Sequence, residues 1–204
     1  HFSGCGAGLG DSMESFKALV SFIQRSSDRW ESFNAYGEGF DSLFASLLVA
    51  EDGSMTRWLT LRTLNVSWCP LSSGRHGDLA LPASHFPSLQ VIHLDELGDS
   101  VLSWNLPWSQ LRDLTFTEPI ARLSEKLSVL SQCVNLESLT LISGDSDDGR
   151  DPHRPRVVLP SLLSFNLVIK HSDQIYLLDD ILPRFVFPHL RFLELDELEV
   201  NFQR

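Results

Sequence analysis

The six-residue string Leu136-Glu137-Ser138-Leu139-Thr140-Leu141 is apolar at its first, fourth and sixth positions. The same spacing starts at Trp30, Leu61, Leu89, Leu111, Leu162 and Leu190. Successive copies begin 31, 28, 22, 25, 26 and 28 residues apart. The fourth and sixth positions are apolar in every copy, and Phe86-Pro87, Leu159-Pro160 and Phe187-Pro188 each precede a copy by the same distance. In an extended strand the fourth and sixth side chains point to one face, and the third, fifth and seventh to the other. A single copy cannot enclose its own apolar face. The copies must therefore stack and bury one continuous core.

A pattern of L-x-x-L-x-L at intervals of about 20–29 residues resembles the strand signature of leucine-rich repeats. Seven strands at about 4.8 Å would make a parallel ladder roughly 29 Å wide. The intervening segments supply the return path. Glu14 to Ser26 places Phe16, Leu19, Val20 and Ile23 on one helical face, and Phe40 to Glu51 does the same with Leu43, Phe44, Leu47 and Leu48. Ile120 to Cys133 and Asp173 to Leu182 are two further amphipathic segments, whereas Leu97 to Gln110 is too short for a strand exit, a full helix and a return. Pro70 to Pro87, rich in Gly, Ser and Pro, reads as loop. The expected fold is α/β: an irregular leucine-rich-repeat-like solenoid, a horseshoe, with a parallel β-ladder of about seven strands. Residues 1–12 are expected to form a flexible N-terminal segment and 13–204 a single solenoid domain. Regular repeats carry Asn or Cys three residues after the sixth position to bond backbone in the turn. Here that place holds Glu38, Cys69, Leu97, Pro119, Gly144, Lys170 and Leu198, of which only Cys69 fits, so the turns must close differently.

Composition narrows the function classes. The 204 residues carry 16 Lys+Arg against 27 Asp+Glu, a formal charge of −11, which opposes general binding to nucleic acid or to anionic membranes. No apolar run approaches the roughly 20 residues of a membrane span. Cys5, Cys69 and Cys133 lie far apart with no CxxC pair, which favours a reduced intracellular setting, cytoplasm or nucleus.

Several chemical motifs fail on inspection. Gly4 to Gly10 lacks a preceding strand and a following Gly-Lys-Ser/Thr, and Leu9 breaks the Gly-x-Gly-x-x-Gly register. Gly144 to Asp151 resembles a calcium loop, yet Arg156 stands where the bidentate Glu is required. The histidines are scattered without metal-ligand spacing, and there is no Gly-x-Ser-x-Gly elbow. Leu-Asp-Glu-Leu occurs at 94–97 and 195–198, but adjacent carboxylates on a strand point to opposite faces and cannot work as one acid–base couple. The chain is expected to be non-enzymatic, with no cofactor and no metal. The alternative of an α/β enzyme would need a doubly wound sheet, with its reversal of strand order.

The outward positions of the ladder are polar at the fifth place in every copy. Candidate partner-binding residues on that face are Asn34, Tyr36, Asn65, His93, Asp95, Thr115, Thr140, Asn166, Phe192 and Glu194.

The runs "SFIQRSSDRWESFNAY", "LSQCVNLESLTL" and "LPSLLSFNL…ILPRFVFPHLRFLEL" are similar to the repeat region of fungal, mushroom-type F-box proteins, from about Phe16 to the end of the sequence. The matching phrases lie at Arg29–Phe33, Cys133–Leu141 and Leu159–Leu167. This resemblance implies a target-recognition repeat domain of an F-box-like ubiquitin-ligase receptor, its partner an unknown target protein. A Skp1-type adaptor would be a second partner only if an F-box lies upstream of His1. The alternative is a stand-alone protein-interaction or structural solenoid without a ubiquitin role.

Overall fold

In the computed structural model the described residues are 12–36, 47, 56–67, 83–95, 106–119, 123–144, 156–169 and 182–197. Each sequence copy forms a strand: β1 (Ser32–Tyr36), β2 (Thr63–Ser67), β3 (Val91–Asp95), β4 (Asp113–Pro119), β5 (Ser138–Gly144), β7 (Ser164–Ile169) and β9 (Phe192–Glu197). Two short strands, β6 (Val157–Val158) and β8 (Phe185–Val186), lie in the turns leading into β7 and β9 and pair with each other. The seven long strands form one sheet in the order β1-β2-β3-β4-β5-β7-β9, parallel throughout. Strand order follows chain order with no switch point, which a doubly wound sheet would not show. The fold is an α/β solenoid.

Register does not drift. The third residue of each copy pairs with the third residue of the next, from Ser32 through Thr63, Val91, Asp113, Ser138 and Ser164 to Phe192. A one-residue slip would turn every apolar side chain of a strand outward, so the shared core fixes the pairing. Leu64, Ile92, Leu114, Leu139 and Phe165, at the fourth position, are all 0% exposed. Burying a side chain of this size contributes about 1.5–3 kcal/mol. The last copy departs from the expectation: Leu193 and Leu195 occupy core positions by pattern yet are 53% and 48% exposed. Strand β9 is an edge strand like β1, whose Phe33 and Ala35 are nonetheless buried, but no described residue follows β9 to cover its inner face.

Two helices with described boundaries accompany the sheet. Helix α1 (Ser12–Arg25) buries Val20 and Ile23 in the core and packs Leu19 against it, as the expected face requires, and turns Phe22 outward. Helix α2 (Leu123–Leu130) lies within the expected segment 120–133 and buries Leu127, Val129 and Leu130. Of the expected helix at 40–51 only Leu47 is among the described residues, where it is helical and fully buried. The helix expected at 173–182 lies outside them except for Leu182, which starts a short 3-10 turn. The flexible segment expected at 1–12 also lies outside, apart from Ser12, which opens α1.

The turns that lead into the strands repeat as closely as the strands do. In six coils the first-position N–H donates to the carbonyl three residues earlier, from Leu61 to Trp58 at 3.3 Å through Leu190 to Phe187 at 3.4 Å. The residues supplying that carbonyl are Trp58, Phe86, Trp108, Cys133, Leu159 and Phe187, an apolar column of which the first five are buried. Next, the carbonyl at the second position of each coil accepts two N–H groups from the following coil. Glu31 takes those of Arg62 and Thr63 at 2.8 and 3.0 Å, and the pattern recurs at Arg62, Gln90, Arg112, Glu137 and Leu163.

Side chains complete the stacking. The residue just before the first position reaches back to backbone carbonyls of the preceding coil. Thr60 donates to Asp28 and Trp30, Ser88 to Leu59, Gln110 to Phe86 and Leu89, Asn135 to Ser109, and Ser161 to Val134, at 2.6–3.0 Å. These rungs do the work that Asn or Cys does in a regular repeat, but before the strand rather than after it. Each contributes on the order of 1 kcal/mol.

Two outcomes follow from this core. Leu139→Asp places an unpaired carboxylate between stacked coils and should cost about 4 kcal/mol or more, read as loss of the cooperative thermal transition by circular dichroism. A folded variant with an unchanged melting point would remove Leu139 from the core. At Cys133, burial pushes the thiol from 9.0 up to about 12. The folded chain thus keeps a proton that the unfolded chain releases from about pH 9, so this group's contribution to stability is complete below pH 9 and falls as pH approaches 12. The stability difference between the native chain and Cys133→Ala should accordingly shrink over that window, and a difference independent of pH would contradict the burial of the thiol.

Candidate functional site

Strand alternation turns the third, fifth and seventh residues of each copy to the outer face, and the register aligns them in rows. The central row runs Asn34, Asn65, His93, Thr115, Thr140, Asn166 and Glu194. Tyr36 and Asp95 stand in the adjacent row, and Phe192 on the last strand stands in the row on the other side. All ten sequence-selected residues therefore share one face of one sheet, as a surface about 29 Å wide and not as a convergent cleft.

Exposure varies along the row. Asn34 and Glu194 at its ends are exposed, while Asn65, His93, Thr115, Thr140 and Asn166 are half-buried by their neighbours. Phe192 is 67% exposed. In the adjacent row Ser67 Oγ donates to Asp95 Oδ2 at 2.9 Å, holding that carboxylate at the end of β3. Thr117 and Val168, also outward by alternation, are buried at 6% and 8% exposure. The outer face is therefore interrupted by buried side chains at these two positions.

The central row offers hydroxyls, carboxamides, one imidazole and, on the last strand, the Glu194 carboxylate, with no lysine or arginine on any of the seven strands. Such groups exchange hydrogen bonds with peptide backbone and polar side chains. The register neighbours of His93 are Asn65 and Thr115. Cys133, the described thiol, is fully buried and raised in pKa, the reverse of an activated nucleophile. Among the described residues no group of three His, Cys, Asp or Glu side chains could hold a metal, and no helix is long and apolar enough to cross a membrane. The Gly4 to Gly10 segment and positions 145–151 lie outside the described residues.

One polar atom in the row lacks a partner: Asn166 Oδ1 is buried without a hydrogen bond. An unsatisfied buried acceptor costs about 1–3 kcal/mol. Asn166→Val removes it and supplies a β-branched side chain suited to a strand. That variant should melt at or above the temperature of the native chain in a calorimetric scan, and a loss exceeding about 1 kcal/mol would show that the amide supports folding.

The lead-in turns, which were not among the positions selected from the sequence, carry arginines and exposed apolar side chains, among them Leu59 in the turn that holds Arg57 and Arg62. The available signal was the recurrence of arginine within the few residues before a strand. No family model, curated protein or solved structure matches this chain.

Proposed function

We propose that this chain is a non-catalytic, leucine-rich-repeat-like protein-binding domain that recognises its target on the outer face of the ladder. The observation that carries this reading is the alignment of Asn65, His93, Thr115, Thr140 and Asn166 on five consecutive strands. Their backbones are fixed by the ladder, so little ordering entropy remains to oppose binding. A row of neutral donors and acceptors at about 4.8 Å spacing suits the polar groups of a protein surface better than it suits a small molecule.

The resemblance to fungal F-box proteins extends this reading to the target-recognition part of an F-box-like ubiquitin-ligase receptor. That extension rests on the phrases at Arg29–Phe33, Cys133–Leu141 and Leu159–Leu167. In that role a Skp1-type adaptor would be contacted by an F-box upstream of His1, and the repeats would hold the target.

Asn65→Ala combined with His93→Ala removes polar groups from half-buried outer positions and should leave the melting temperature within a few degrees of native. Affinity purification from cells of the source organism, native chain against double variant, should identify a protein retained by the first and depleted about tenfold or more on the second. Equal retention would place target recognition elsewhere. Expression of the full reading frame tests the receptor role separately: co-purification of a Skp1-type adaptor supports it, and its absence leaves a stand-alone interaction solenoid.

A further inference from the structure

Taken over the described residues, charge is segregated between the lead-in turns and the strands. In the turns leading into β2 and the strands after it, the charged described residues are Arg57, Arg62, Arg112, Arg156, Arg184 and Arg191, against one carboxylate, Glu137, which pairs with Arg112. The turn before β1 is balanced, with Asp28 and Glu31 beside Arg29. The seven strands hold no cation, and their charges are all of the opposite sign: Asp95 on β3, Asp113 and Glu118 on β4, and Glu194, Asp196 and Glu197 on β9. All strands run the same way, so the turns collect along one edge of the sheet. In a chain of net charge −11, the described residues of this ridge thus form a cationic strip whose cations are all arginine.

The ridge is also where apolar side chains reach solvent. Leu59, Val134, Val158 and Val186 are 47%, 45%, 53% and 42% exposed, and all four lie in lead-in turns. Val158 and Val186 are register partners, which makes them one continuous patch. Exposed Pro87, Pro160 and Pro188 extend the same strip. The backbone beneath is tied from coil to coil, with the Trp58 N–H donating to His85 at 2.8 Å and the Leu159 N–H to Val186 at 3.0 Å, so the strip is a rigid surface.

We propose that this ridge is a second binding surface, separate from the outer face of the sheet, and that its occupant is an extended acidic peptide segment carrying apolar residues between its carboxylates. Arginine presents a planar fork that matches a carboxylate with two parallel hydrogen bonds, and five of the ridge arginines, Arg57, Arg62, Arg112, Arg156 and Arg191, are exposed, of which Arg112 already pairs with Glu137. Apolar side chains of the peptide would cover Val134, Val158 and Val186, leaving the carboxylates to reach the flanking arginines. The ridge from the second to the seventh coil spans about 24 Å, the reach of about seven extended residues. A nucleic acid matches the arginines but not the valines and prolines, and it would meet the carboxylates of the neighbouring strands. The acidic peptide satisfies both halves of the surface.

The test is a selection from a displayed library of random twelve-residue peptides on the full chain, followed by fluorescence titration of the enriched peptides. Enriched sequences should hold several Asp or Glu residues around apolar ones, and their affinity should weaken about tenfold between low and moderately high salt. Arg57→Glu with Arg156→Glu should reduce it tenfold or more, as should Val134→Ser with Val158→Ser. Asn65→Ala with His93→Ala should leave it unchanged, which separates failure of this proposal from failure of the outer-face reading. These ridge side chains are exposed, and a melting scan confirms that each variant folds. Should the arginine variant not fold, the salt series and the valine variant decide. Selection without acidic enrichment, affinities that withstand both ridge variants, or a single-stranded oligonucleotide bound as tightly as the peptides and indifferent to the valine variant would overturn the proposal.

Discussion

One backbone carbonyl per coil sets the geometry of this protein. At the second position of each coil through the sixth, it receives the N–H groups of two successive residues of the next coil. That double acceptance fixes where the next strand begins, and therefore which of its side chains face inward. Because the contact recurs without drift, the fourth and sixth positions of the first six coils enter the same core. Hydrogen bonds of this kind contribute only about 1 kcal/mol each, whereas the buried Leu, Ile and Phe side chains contribute more. The apolar surface supplies most of the stability and the carbonyl supplies the alignment.

The strands were legible in the sequence because alternation has a period of two and one face is buried. Every copy of the spacing from Trp30 to Leu190 begins a strand at its third residue. The turns were less legible for a physical reason. Thr60, Ser88, Gln110, Asn135 and Ser161 occupy one structural place but share only the ability to donate a hydrogen bond, so no single letter recurs. The column of Trp58, Phe86, Trp108, Cys133, Leu159 and Phe187 was half visible, through the Phe-Pro and Leu-Pro pairs. The exposure of Leu193 and Leu195 was hidden altogether. A pattern tells which face of a strand is apolar, but burial depends on whether another layer stacks against it.

The candidate site divides in the same way. Alternation and register placed Asn34, Asn65, His93, Thr115, Thr140, Asn166 and Glu194 in one row, a conclusion the spacing alone could reach. Burial of Thr117 and Val168 on the same face could not be read from it, because covering groups come from outside the strand. The two surfaces offer different chemistry: a lattice of hydroxyls, amides and carboxylates on the sheet, and exposed arginines among valines and prolines along its edge. Their separation allows one solenoid to hold two partners, or two parts of one partner, at once.

Amide hydrogen exchange of the native chain, resolved by residue, tests the stacking most directly. The account predicts that the paired amides at the second and third positions of each coil are protected together, with Gln90, Val91, Arg112, Asp113, Glu137, Ser138, Leu163 and Ser164 slowest and the end coils less so. Rapid exchange at Arg112 and Asp113 in a folded sample, while neighbouring coils stay protected, would mean that the coils do not share one continuous ladder.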